Sequence, residues 1–87
     1  MNFRPVLSDE AAKTILRADS KLRARLQRRI RQLAEDPYDP RLSSYLSGRT
    51  GVRKSRVGGW RILFTVDQER RLVQIAAVDT RGQVYRH

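Results

Sequence analysis

Partway along this 87-residue chain the spacing of the apolar residues changes, and the change restricts the fold more than any other feature. Leu22, Leu26, Ile30 and Leu33 fall on one stripe of a helix. Trp60, Ile62, Phe64 and Val66 instead alternate with Arg61, Leu63 and Thr65, as in a strand with one deeply buried face. Between the two lies EDPYDP, where each proline disfavours helical geometry in the residue before it. Helices first and alternating strands afterwards place the chain in the α+β class.

The remaining elements follow from local signals. Phe3 to Leu7 reads as a short strand that Pro5 confines to a sheet edge or a strand start. Ser8 is an N-cap for a first helix, with Asp9 and Glu10 where the helix dipole favours acids. Ala12, Ile15 and Leu16 make its expected apolar face, leaving Lys13, Thr14 and Arg17 outside. Asp19-Ser20 breaks and re-caps, and a second helix runs from Lys21 to about Glu35, completing a helical hairpin. DPYDPRLSSYLSGRTG is expected to be a loop packed locally through Leu42, Tyr45 and Leu46. DQERR is a polar hairpin turn, and Leu72 to Val78, apolar on both faces apart from Gln74, suits a central strand. TRG turns again and QVYRH adds a short last strand. The expectation is a single domain over residues 1–87: an N-terminal strand, a helical hairpin, then three or four antiparallel strands. The hairpin covers the sheet face bearing Trp60, Ile62 and Phe64, and the other face carries cations.

Charge narrows the function. Nineteen Lys and Arg face nine acids, a formal charge of +10, and only Lys13, Lys21 and Lys54 among the cations are lysine. Arginine grips phosphate through a planar fork that an ammonium lacks, so a polyanion partner is expected, nucleic acid first. With no cysteine and one histidine, His87, a thiolate metal site, a cysteine nucleophile and a paired-histidine nuclease are excluded. VGG leads into a strand and is no phosphate loop, and Asp67, Gln68 and Glu69 read as a solvated turn, so neither metal nor cofactor is expected. No apolar run is long enough for a membrane span and MNFRPVLSDE has no signal-peptide core, which suits a cytoplasmic protein.

What remains is RKSRVGGWRILF and the segment after the last long strand. Lys54 and Arg56 share one strand face by two-residue alternation, Arg61 lies opposite the Trp60 face, and Arg81 and Tyr85 follow the central strand. Each has an ordinary reading too. Arg61 is a common exposed strand residue, Tyr85 a packed aromatic, and Lys54 and Arg56 are edge cations that discourage aggregation.

RKSRVGGWRILFTVD followed by AVDTRGQVYR resembles the RelE/ParE superfamily of bacterial toxin–antitoxin toxins. The matching residues are Lys54, Arg56, Val57, Gly58, Trp60, Arg61, Val78, Arg81, Val84 and Tyr85, with Leu46 and Gly48 resembling the family's entry into this segment and LAEDP the end of its second helix. The resemblance implies a type II toxin with one of two targets. RelE-like members are ribosome-dependent mRNA endonucleases; ParE-like members inhibit DNA gyrase without cutting RNA. In the RelE branch, favoured here by Tyr85 in RGQVYR, it implies catalysis by Lys54, Arg56, Arg61, Arg81 and Tyr85. Lys21, Arg28, Arg31 and Arg53 would hold RNA phosphates, although a solvated helix face reads equally well for the first three. Thr80 stands where many relatives carry histidine, and His87 is a possible substitute. The implied partners are an acidic antitoxin in a hetero-oligomer and mRNA on the ribosome.

Overall fold

Ser8 sets the geometry of the first third of the protein. In the computed structural model, which describes residues 2–80, its hydroxyl accepts the backbone N–H of Ala11 at 3.0 Å and so caps helix α1, Asp9–Arg17. The same hydroxyl donates to the Ala76 carbonyl at 2.7 Å, while the Ser8 N–H donates to the Ile75 carbonyl. Strand β1, Arg4–Leu7, is thereby held parallel to β5, Leu72–Thr80, as an edge strand that tolerates Pro5. Asp19 caps α2, Ser20–Glu35, by accepting from Leu22 N–H at 2.8 Å. Arg23 reaches back from α2 to the carbonyls of Ile15, Leu16 and Ala18, satisfying acceptors that the end of α1 leaves open.

Strands β3, Arg53–Val57, and β4, Trp60–Asp67, form a hairpin through Gly58-Gly59, and β4 pairs antiparallel with β5. A short β2, Ser44–Tyr45, pairs with β3, which gives the sheet order β1-β5-β4-β3-β2. The α+β order of elements is as the sequence implies, with β1 joined to the antiparallel strands in one mixed sheet. The loop expected between Asp36 and Gly51 contains β2, whose two residues are too few to show a period.

Both helices pack on one sheet face. Leu26, Ile30 and Leu33 of α2 and Ala11 and Ile15 of α1 meet Val57, Ile62, Phe64, Val73, Ile75 and Val78 in one core, with Leu22 and Trp60 half-buried at its margin. Three details differ from expectation. Ala11, not Ala12 or Leu16, partners Ile15, and Leu16 is 72% exposed, because residues four apart share a helix face more closely than neighbours do. Trp60 is half-buried, so Phe64 is the central aromatic. Strand β5 is not apolar on two faces. A bulge opposite Leu63 and Phe64 leaves Ala76 unpaired and shifts the alternation, so that Val73, Ile75 and Val78 all point inward.

Ser8→Ala removes the cap and strips the Ala76 carbonyl of its donor. A loss of about 1–2 kcal/mol is expected in urea unfolding. A loss under about 0.5 kcal/mol would mean that water replaces both bonds at little cost.

Candidate functional site

The face of the sheet turned away from the helices carries the cations. Alternation along β3 and β4 puts Lys54, Arg56, Arg61 and Leu63 on this face, and the strand register arranges them in rows. One row runs Arg56, Arg61, Asp79 across three strands; the next runs Ser44, Lys54, Leu63, Ala77. Arg56 and Arg61 stand directly opposite each other, an arrangement that disfavours the fold by up to roughly 1 kcal/mol when nothing anionic lies between. Asp79 offsets part of that cost: Arg61 Nε donates to its Oδ1 at 2.8 Å, with both side chains largely buried. Neither Lys54 nor Arg56 has a side-chain partner among the described residues.

Beyond β3 the face continues into a cleft of about 380 Å³ beside the loop that follows α2. Arg29 enters it from α2, its Nη1 donating to Ser55 Oγ at 2.9 Å and to the Arg56 carbonyl at 2.6 Å. Arg41 enters from the loop, where Nε and Nη2 donate to the two oxygens of Asp39. That hydrogen bond and the Arg41 backbone N–H hold the Asp39 carboxyl below its ordinary pKa, and Asp39 in turn raises that of Arg41.

Of the residues singled out from the sequence, Lys54, Arg56 and Arg61 lie together. Arg81, Tyr85 and His87, with the expected last turn and strand, lie outside the described residues, and Thr80 ends β5 opposite Trp60. Lys21, Arg28 and Arg31 are exposed on α2, on the far side of the molecule from the cationic sheet face. Arg53 faces inward at 7% exposure. Its guanidinium lies 5.2 Å from the Tyr38 ring centre and 4.7 Å from that of Tyr45, and its Nε donates to Ser43 Oγ. An arginine so enclosed fastens the loop to β3 and is not offered to RNA. The position follows from alternation, since Arg53, Ser55 and Val57 share the helix-side face of β3.

Asp79, Arg29 and Arg41 escape a sequence reading. Asp79 is found only from strand register, and Arg29 only from the helix-to-sheet packing that turns it toward Ser55. Arg41 carries a local trace, since Asp39 two residues earlier provides its partner.

A family model described as the ParE toxin of type II toxin–antitoxin systems matches residues 6–85. A comparison with curated protein sequences finds no significant match. Among solved structures, the chain is similar to one in the toxin–antitoxin complex RelBE2 from Mycobacterium tuberculosis, at 23% identity and TM-score 0.79, covering 93% of this chain and 100% of that one. The isolated RelE toxin of E. coli is similar at 22% identity and TM-score 0.78, with 95% and 90% covered. The YoeB/ParE toxin from Agrobacterium tumefaciens is similar at 15% identity and TM-score 0.77, with 90% and 98% covered. At these identities the structural likeness is one of fold.

Proposed function

The chain belongs to the ParE toxin family of type II toxin–antitoxin systems, and from that premise we propose that it stops translation as a metal-independent endonuclease cutting mRNA on the ribosome. The observation that carries the proposal is Arg56 set against Arg61 with Lys54 one row away, on a sheet face that neither α1 nor α2 covers. A fold gains nothing from opposing two arginines, whereas a phosphate between them turns the repulsion into grip.

Cleavage would use the RNA's own 2′-hydroxyl as nucleophile on the adjacent phosphate. The hydroxyl loses its proton, charge builds on the phosphoryl oxygens, the P–O5′ bond breaks, and the 5′-oxygen takes up a proton. Arg56 and Arg61 would stabilise the phosphoryl charge, the electrostatic contribution that is usually the largest. Lys54, an ammonium, can neutralise or protonate the leaving oxygen. A phenol, with an ordinary pKa of about 10, serves as base only where cations favour the phenolate, and in this scheme Tyr85 takes that part with Lys54 or Arg81 as the cation. With the acid–base set so weak, positioning of the mRNA by the ribosome would supply much of the rate. Lys21, Arg28 and Arg31, on the opposite side, would lie against ribosomal RNA. In the resting hetero-oligomer an acidic antitoxin would cover Arg56 and Arg61 with its carboxylates.

A second reading has its own observation. Asp79 already engages Arg61, which leaves this site less cationic than a nuclease could use, and a gyrase inhibitor acting by protein contact needs no phosphate grip. Induction followed by primer extension on cellular mRNA separates the two. New 5′ ends within translated codons, with gyrase supercoiling unaffected in vitro, are expected; intact messages with blocked supercoiling would overturn the nuclease.

A further inference from the structure

We infer, building on the sheet face as an RNA surface, that the cleft between β3 and the loop after α2 is a second phosphate subsite for the same single strand. Four cations line it, Arg29, Arg41, Lys54 and Arg56, together with the hydroxyl residues Ser43 and Ser44, and among the described residues the acid nearest them is Asp39, bound to Arg41 outside the lining. Lys54 and Arg56 belong to both the cleft and the sheet face, so the two surfaces are continuous. An RNA strand crossing the sheet from β5 toward β2 meets Arg61, then Arg56, then the cleft. The path covers three strand spacings, about 14 Å.

The cleft is organised before any ligand arrives. Hydrogen bonds to Ser55 Oγ, the Arg56 carbonyl and Gln32 hold the Arg29 guanidinium through Nη1 and Nε, leaving Nη2 as a donor. Asp39 occupies Nε and Nη2 of Arg41, leaving Nη1. Both arginines are therefore aimed at low further entropic cost, which is what a binding site gains from tying down long side chains. The chemistry of the walls selects the ligand. Pro40 and Leu42 are the only apolar residues among the described ones that form them, too little to seat the apolar face of a helix, whereas a chain of phosphates needs only cations and hydroxyl donors.

The test is binding of a short single-stranded RNA, 2′-O-methylated throughout so that it cannot be cut, to the purified full chain without ribosomes over a salt series. Arg41 is 87% exposed in its side chain and is bonded only to Asp39 among the described residues, so Arg41→Ala leaves the fold intact. It is expected to weaken binding several-fold and to lower the slope of log K against log salt by about 0.7, the value for one phosphate contact on a single strand. Asp39→Asn keeps Arg41 but removes its counter-charge, and is expected to tighten binding. Unchanged affinity and slope in Arg41→Ala would overturn the subsite. So would an Arg41→Ala chain that holds RNA normally yet loses affinity for poly-glutamate, since the cleft would then serve an acidic protein. The nuclease reading fails separately: a chain that never cuts mRNA, but whose RNA binding depends on Arg41, keeps the subsite and loses the nuclease.

Discussion

Arg61→Ala is expected to abolish growth arrest while the protein remains folded. Loss of one preorganised group aimed at developing charge typically slows a reaction by about 10²–10³. The effect on the fold is smaller. The variant forfeits a charge-assisted hydrogen bond of about 1.5–3 kcal/mol to Asp79 but also relieves the opposition between Arg56 and Arg61. A net destabilisation of about 1–2 kcal/mol is within the tolerance of a domain with about 5–15 kcal/mol in hand. Growth after induction, normalised to soluble toxin, reads the first effect and urea unfolding the second. Undiminished toxicity at equal abundance would remove Arg61 from the site.

Phe64→Ala should act on the fold itself. Phe64 is fully buried, facing the helices between Ile62 and Val66 and directly across from Ile75 on β5. Truncating a buried aromatic costs about 3–5 kcal/mol, through lost burial and the cavity left behind. That is a large fraction of the whole stability, so the variant should unfold at much lower urea and lose toxicity through reduced abundance. A near-normal unfolding midpoint would mean that the core collapses around the gap. Trp60, half-buried at the margin, should cost less on truncation than Phe64.

The elements legible in the sequence are those whose signal is local. Helix α2 and strand β4 declare themselves by period, and the caps Ser8 and Asp19 by residue type and position. What depends on distant partners was hidden. The bulge at Ala76 reads in sequence as a strand apolar on both faces, because a change of phase and two-sided burial give the same residues. Parallel pairing of β1 with β5 leaves no trace in either segment. In the site, alternation correctly groups Lys54, Arg56 and Arg61. It also turns Arg53 inward, to the helix-side face with Ser55 and Val57, away from the phosphates it was expected to hold. Asp79 became visible only with the register.

The bond from Ser8 to Ala76 joins residues 68 apart, and it bears on when a newly made copy becomes dangerous. Synthesis delivers β1 and α1 first, yet the strand that both lie against, β5, comes last among the described elements. Closing so long a loop costs entropy before any contact returns it. Until Leu72–Thr80 has been made, Ala11 and Ile15 have no sheet to cover, and the row from Arg56 through Arg61 lacks its acid. The cations of β3 and β4 are thus made before the strand that aims them. The order of the strands leaves an interval in which an unfinished chain is already strongly basic but its cationic face is not yet assembled.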